Sequence, residues 1–555
     1  MRAWRILPTE EDEDQREERR RRDQATAKTA PAPLPLKWTL VLWAVALLPR
    51  LYSLFFLTDP ENAGDGWHGD VYHHWQIAYL TQQIGLTAPG GPRLWDLKGL
   101  DYYWGILHPV MLVVLFFVTG SIDIILARLL SLVFGAIVVV LIFHLCRRYW
   151  GTRVAVAAAA FAALAPTSVF VDSTGFLEPI GVALSLLGIW LYPKRGVWTG
   201  IAWALAAMAR AEAWIFSFGM LVATFLRRQA IEQRLAMVVA WAVGILVYMK
   251  ILLDRTGNPI YPVWWNFLAN AFGKWEFRTE LTPTEHAAQP VLGALVVLAL
   301  IGLVWTLIKR PRSYMFLTFG FGYLVFTGGF LGFTAYIKSW ESWFWMERFF
   351  VFPYEFAAVL GAILLFIVLP RLLGSRAILL AWALTAVSLL AVQLEWPPIM
   401  AEYNLTRTTW QETLTAGFAL GSIYNQPGYQ GTIISLPNGD PALTYVLARF
   451  DRVDGKYLMS QLYDPFYYLP GYTYADHRET AGVLMQCWLT TTRTRLFVID
   501  PQNLGYVEFV QDHPEWFRKV GDLAPYQWIV EDTQIPLPSA ADCTQASRSA
   551  RGQGS

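Results

Sequence analysis

Apolar residues in this chain fall into long, nearly unbroken blocks from Trp38 to about Leu394, after which polar and apolar positions mix as in an ordinary soluble protein. A block of about 20 apolar residues matches the thickness of a bilayer, whereas one of about 14 suits a helix lying at the interface or re-entering. The first block, Trp38 to Leu57, has spanning length and follows a lengthy charged segment, so it reads as a retained anchor and not a cleaved signal. Further blocks follow at roughly 106–119, 124–145, 154–171, 176–192, 196–209, 213–226, 235–253, 291–308, 314–335, 349–369 and 377–394.

The basic clusters decide how these blocks cross. Arg147-Arg148-Arg153, Lys194-Arg195, Arg227-Arg228-Arg234, Lys309-Arg310-Arg312 and Arg371-Arg376 fall between alternate blocks, and positively charged loops stay on the cytoplasmic side. With the N-terminus inside, all five comply only if 106–119, the short block that opens at His108-Pro109, does not cross. The expectation is an all-α polytopic membrane domain over 38–394 with about eleven transmembrane helices. One long external loop, 58–123, then carries two surface-lying helices near 71–84 and 108–119. Asp172 and Glu178 fall in the second external loop, Arg210 and Glu212 in the third, 254–289 in the fourth and 336–348 in the fifth, all on the side of Asp70.

Outside the membrane, residues 1–37 run from a charged stretch into a Pro/Ala-rich one and cannot bury a core, which predicts a disordered cytoplasmic tail. Residues 395–540 predict a small external α/β domain, with strands at 431–437 and 494–500 and helices at PALTYVLARF and ETAGVLMQCWL. Residues 541–555 read as a second disordered tail. The aromatic stretch DPFYYLPGY (464–472) is a surface loop or a cover for a membrane-proximal cavity.

Composition sharpens this in two places. The chain is 55% hydrophobic and 16% charged, with net charge +1 and no basic stripe interleaved with aromatics, which excludes a nucleic-acid surface. Its three cysteines lack metal-ligand spacing; Cys487 and Cys543 pair or stand as two separate thiols, and Cys146 lies in an apolar span.

Candidate chemistry concentrates in GDGWHGDVYHHWQIAY, residues 64–79, with Asp65, His68, Asp70, Tyr72, His73, His74 and Trp75 close to the first span. Asp65 is flanked by glycines and reads as a turn residue; Asp70 is either a functional carboxylate or the cap of the following helix. The blocks 196–209 and 213–226 are too short for two full crossings and a turn, which puts Arg210 and Glu212 below the surface at the apex of a short hairpin. Ionisable groups at such depth mark function by default, with mutual pairing as the structural alternative. Arg348 opens a later span and pairs with Glu347 or serves a ligand; Lys338 reads more simply as a snorkelling lysine. Tryptophans and tyrosines at 67, 75, 95, 102, 103, 104, 264, 265, 340, 343 and 345 suit an interfacial belt.

The order of these parts resembles the GT-C superfamily of membrane glycosyltransferases, most of all the aminoarabinose transferase and protein O-mannosyltransferase branch. The resemblance rests on GDVYHHWQIAY, GILHPVML, the run from ARLLSLVF to VDSTGFLEP, LAAMARAEAWIF and ERFFVFPYEFAAVL, across roughly 38–370. The first loop also resembles that of oligosaccharyltransferase catalytic subunits. Departures are plain: Asp70 is followed by Val71 where that branch has an Asp-Glu pair, His108-Pro109 by Val110 where it has a second proline, and the soluble part lacks a WWD-type motif.

The resemblance implies an inverting enzyme that moves a sugar from a polyprenyl-phosphate donor to a lipid, glycan or protein acceptor, in the cytoplasmic membrane with the C-terminal domain external. Such transfer needs a carboxylate to take the acceptor proton, for which Asp70 is the choice, and fixed positive charge for the departing phosphate, for which Arg210 and Arg348 are the choices. Tyr72, His73, His74, Asp172, Glu178 and Glu212 are expected to contact substrate or support these three. No cofactor is required by the mannosyltransferase branch; the oligosaccharyltransferase alternative implies Mg²⁺ or Mn²⁺ on Asp70, Asp172 and Glu178. A lipid or sugar flippase is the rival class, and it predicts charges spread through the depth of several spans, not gathered at one face.

Overall fold

The computed structural model describes residues 34–65, 69–84, 105–192, 194–226, 230–256, 258–264, 283–338, 348–437, 441–460, 478–499, 504–523, 527–532 and 535–553. The N-terminal tail, DPFYYLPGY and most of the predicted belt aromatics lie outside these residues.

Among the described residues, six helices are long and apolar enough to cross a membrane: Leu36–Leu57, Ile125–Trp150, Ile231–Asp254, Pro290–Lys309, Arg348–Leu373 and Ala377–Tyr424. A seventh candidate is the pair Thr152–Leu164 and Pro166–Thr174, bent by 55°. Proline at the first position of the second helix lacks the N–H that would continue the first, so the break falls at Ala165. Among the described residues there are also five shorter apolar helices: Leu107–Thr119, Glu178–Leu191, Gly196–Ala209, Glu212–Thr224 and Tyr314–Gly329. The chain is an integral, multi-pass membrane protein.

Helices occur where the two non-crossing ones are expected, at Asp70–Ile84 and Leu107–Thr119. Thirteen residues reach about 20 Å, well short of a hydrocarbon core of about 30 Å. One stripe of Leu107–Thr119, comprising His108, Leu112 and Phe116, is buried, while Val110, Val114, Phe117 and Val118 are exposed. The exposed stripe is wholly apolar, as a surface turned to lipid requires.

Two features of the C-terminal part depart from expectation. No break separates membrane and soluble parts near 395; Ala377–Tyr424 is one helical run of 48 residues. Only a 3-10 turn at Gln393–Glu395 interrupts it, and the Pro397-Pro398 step falls in the first turn of the next segment, where prolines cost no hydrogen bond. Residues 541–555, expected to be a disordered tail, instead include the helix Ala540–Gln553, which a Cys487–Cys543 disulfide ties to the helix Arg478–Thr492. The two cysteines that spacing alone left open are thus paired, and Cys146 is buried and free.

Among its described residues the soluble part has five strands, β1 (Ile433–Leu436), β2 (Leu458–Ser460), β3 (Thr494–Ile499), β4 (Phe517–Leu523) and β5 (Gln527–Asp532), in the order β2-β1-β3-β5-β4. β1 pairs in parallel with β2 and β3, and β5 runs antiparallel to β3 and β4. The helix Pro441–Arg449 makes the crossover between β1 and β2, and all nine of its residues except Arg449 are buried. That burial has a consequence for the membrane part, because the helix also packs on Asp70–Ile84.

Candidate active site

Three acidic residues open three helices: Asp70 begins Asp70–Ile84, Glu178 begins Glu178–Leu191 and Glu212 begins Glu212–Thr224. Carboxylates are favoured there because the first-turn N–H groups have no helical acceptor. Gly69 and not Asp70 occupies the cap position of the first of these helices, since its carbonyl accepts the His73 N–H at 3.0 Å. Asp70 therefore keeps its side chain for another partner.

That partner is Arg348, whose Nη1 lies 2.7 Å from Asp70 Oδ2. Arg348 stands in the 3-10 turn Arg348–Phe350 just ahead of Val351–Ile363, a cation at a helix N-terminus that needs compensating negative charge. Glu178 supplies more of it, with Oε1 at 3.7 Å from Arg348 Nε and 3.2 Å from Arg210 Nη1. Arg210 in turn donates through Nε to Glu212 Oε1 at 2.8 Å. Arg210 sits between Gly196–Ala209 and Glu212–Thr224 in extended backbone, which ends one helix and lets the next begin two residues later. The pairing of Arg210 with Glu212 expected as the structural alternative is present, but Glu178 joins that pair to Arg348 and Asp70. The ring of Phe349 lies under both cations, 5.5 Å from the Arg210 and 4.8 Å from the Arg348 guanidinium carbon.

Glu178 is placed by VDSTGFLEP. Gly175 takes φ +111°, and a Cβ there would lie 2.9 Å from Val71 Cγ1, so the turn between Pro166–Thr174 and Glu178–Leu191 needs a residue without one. The turn brings Phe176 beneath Arg348, at 5.0 Å.

Asp172, from the same stretch, has a different partner. It accepts from Arg50 Nε at 2.7 Å, and Arg50 also donates to the carbonyls of Ala46, Ala162 and Ala163, locking Leu36–Tyr52 to the bent pair. A cavity nevertheless connects the two groups, with Asp172, Glu178, Tyr323, Arg348 and Glu355 on its walls. Glu355, about two helical turns beyond Arg348, is buried, and its Oε2 has no hydrogen-bond partner among the described residues.

The remaining predicted residues divide by helix face. Tyr72 is wholly buried, donates to the Glu61 carbonyl at 2.8 Å and accepts from the Ala63 N–H at 3.1 Å, so it supports the loop and has no hydroxyl left for substrate. His74 turns toward the site and meets His108 edge to face at 5.2 Å. Burial, His108, His73 and the Arg210 and Arg348 guanidiniums together hold the His74 imidazole well below its ordinary value. Burial also lowers His73, opposed by Asp70 and by Gln76. Neither ring nitrogen of His108 finds a hydrogen-bond partner among the described residues. The side chain of Lys338 lies outside the described residues.

Asp70, Asp172 and Glu178 do not form a metal-ligand set. Each faces a guanidinium, and among the described residues no group of three or more His, Cys, Asp or Glu side chains is arranged to hold an ion.

Four buried residues escaped the sequence reading as site components: Arg50, Arg128, Glu355 and, beyond its HP step, His108. Arg128 binds the Asp59, Pro60, Asn62 and Ser173 carbonyls and Thr58 Oγ1, pinning the start of the first loop. Its signal was an arginine inside an apolar run, ILARLLSL, and Arg50 in LLPRLY gave the same one.

No protein-family profile matches the sequence, and no curated protein does. Solved structures do. The oligosaccharyltransferase of Archaeoglobus fulgidus in its apo form matches over 91% of this chain and 75% of its own, at 13% identity and TM-score 0.50. ArnT, the aminoarabinose transferase of Cupriavidus metallidurans, matches in the apo state over 90% of this chain and 98% of its own, at 14% identity and TM-score 0.49. The same ArnT bound to undecaprenyl phosphate matches over 91% of this chain and 100% of its own, at 14% identity and TM-score 0.44. Both proteins are GT-C glycosyltransferases; the likeness to the first is one of fold, and it agrees with the resemblance carried by the order of the sequence motifs.

Proposed function

We propose that the chain is an inverting glycosyltransferase that moves a sugar from a polyprenyl-phosphate donor to an acceptor at the outer membrane face. One observation carries the reading: a carboxylate, Asp70, lies 2.7 Å from Arg348, with a second buried arginine, Arg210, joined to the first through Glu178. This gives a base and two fixed cations at converging helix ends, beside apolar helices that suit a lipid tail.

In the transfer Asp70 takes the proton of the acceptor hydroxyl or amine while that oxygen or nitrogen bonds to the anomeric carbon. The anomeric C–O bond to phosphate breaks, and its electron pair leaves with the polyprenyl phosphate. Arg348 and Arg210 face the charge that gathers on the phosphate oxygens, where a guanidinium meets two oxygens at once. One displacement inverts the anomeric centre. Because Arg348 pairs with Asp70 before donor arrives, the donor phosphate competes for that guanidinium and frees the carboxylate as it binds.

The pairing of Cys487 with Cys543 supports an external C-terminal part, since disulfides persist in oxidising compartments. The fold match to an oligosaccharyltransferase favours a second reading, transfer of a lipid-linked glycan to protein, for which the first-loop sequence resemblance implies a divalent ion. Transfer from a labelled polyprenyl-phosphate sugar by purified protein tests the first, with Asp70→Asn and Arg210→Ala beside wild type; full activity in chelator rejects the second.

A further inference from the structure

The helix Asp70–Ile84 has two working faces. Asp70 and His74 turn toward Arg348 and His108. Tyr72, Trp75, Gln76, Tyr79 and Gln83 recur at helical spacing on another face, and all but Gln83 are buried. What covers that second face is the soluble part, chiefly residues 441–457.

The contacts are specific and polar as well as apolar. Gln76 Nε2 donates to Thr444 Oγ1 at 2.6 Å, a buried bond between positions 368 residues apart. The Tyr445 ring stands edge-on to Trp75 at 4.9 Å and lies 5.7 Å from Tyr72. Its hydroxyl donates to the Glu61 carboxylate and accepts from the Ile124 N–H at 3.4 Å, so one side chain ties both ends of the first loop. Arg449 pairs with Asp123 on the same loop. Tyr79 reaches the Val453 carbonyl at 3.5 Å, and Gly455 comes so close that a Cβ would lie 2.8 Å from Gln83 Cγ. Gln76 also lies against His73, whose imidazole feels the charge of Asp70 one turn earlier on the same helix.

We propose that the soluble segment 441–457 positions Asp70, with Thr444 and Tyr445 as positioning residues that act through the helix Asp70–Ile84. This rests on the reading of Asp70 as the base. A 15-residue helix moves as a rod, so a shift at Gln76 is delivered to Asp70 two turns away. A displacement of about 1 Å at a reacting group lowers turnover by up to about 100-fold. The soluble part is then a component of the catalytic apparatus and not an appended module.

Full-length protein in lipid nanodiscs tests this, using sugar transfer from polyprenyl-phosphate donor and melting temperature as readouts. Thr444→Val and Tyr445→Phe keep shape and lose one hydroxyl each. Each is expected to lower kcat about 10-fold or more while donor KM stays within about two-fold, because Arg348 and Arg210 are untouched. Gln76→Leu combined with Thr444→Val removes both ends of the buried bond and returns kcat to within about three-fold of wild type, since no polar group is left orphaned. Wild-type kcat in both single variants, beside an inactive Asp70→Asn, overturns the positioning role alone. A loss of kcat that only tracks the folded fraction, with no recovery in the paired variant, overturns it too. An active Asp70→Asn removes the base reading, and the positioning claim with it.

Discussion

Glu178→Gln separates this site from an ordinary set of buried ion pairs. The carboxylate lies 3.2 Å from Arg210 and 3.7 Å from Arg348, which at an effective dielectric constant of 20 corresponds to about 5 and about 4.5 kcal/mol of attraction. Desolvation offsets much of this, and removing one partner of a buried pair costs about 3–5 kcal/mol in practice. Glutamine keeps the shape and one acceptor oxygen, and each arginine keeps a carboxylate, Glu212 at 2.8 Å and Asp70 at 2.7 Å. The expected loss is therefore at the low end, about 3 kcal/mol, read as a fall of several degrees in the melting temperature of the purified protein. Function moves the other way at the binding step. Glu178 competes with the donor phosphate for both guanidiniums, so its neutral replacement should bind polyprenyl phosphate more tightly, about tenfold for each 1.4 kcal/mol released. Titration of the variant with polyprenyl phosphate gives that number directly. Unchanged melting together with unchanged or weaker phosphate binding would refute the shared-anion arrangement.

Three other predictions follow from separate parts of the molecule. Gly135→Ala places a Cβ 2.1 Å from Asp172 Oδ2, which forces the carboxylate off Arg50 and should cost about 3–5 kcal/mol; Gly219→Ala, with nothing within 4 Å, is the control in the same melting assay. Reduction, or Cys543→Ser, opens a link across 56 residues, worth about 4 kcal/mol of chain entropy, and should expose the helix Ala540–Gln553 to limited proteolysis. His74 is held below its ordinary value, so the folded chain refuses a proton that the unfolded chain takes up below about pH 6.5. Stability present above that pH should fall as pH drops, by up to about 1.4 kcal/mol per unit, and His74→Asn should flatten the melting profile by one proton.

Much of the membrane part was legible because its helices are set by one-dimensional patterns. The apolar blocks and the shortness of 196–209 beside 213–226 announced elements that the structure contains, whereas 154–171, read as one block, is broken at Ala165 ahead of Pro166. The acids and arginines of the site were legible for a related reason: in an apolar chain they are expensive, and Asp70, Glu178, Arg210, Glu212 and Arg348 all fall at helix ends. Partnership was not legible. Arg50 meets Asp172 across 122 positions and Gln76 meets Thr444 across 368, and no local spacing encodes such pairs. The helical run through 395 was missed because the change from apolar blocks to mixed positions after Leu394 marked a domain boundary, whereas Pro397-Pro398 fall in a first turn and let the helix continue past the 3-10 turn. The C-terminal helix was missed because its sequence is polar and its anchor is a cysteine 56 residues away.

The central claim is that Asp70 is the base of a transfer reaction whose leaving phosphate is held by Arg210 and Arg348. Transfer of labelled sugar from a polyprenyl-phosphate donor, compared between wild type and folded Asp70→Asn, tests it most directly. The account predicts turnover at least about 100-fold lower with donor still bound. Near-full turnover in folded Asp70→Asn would contradict it.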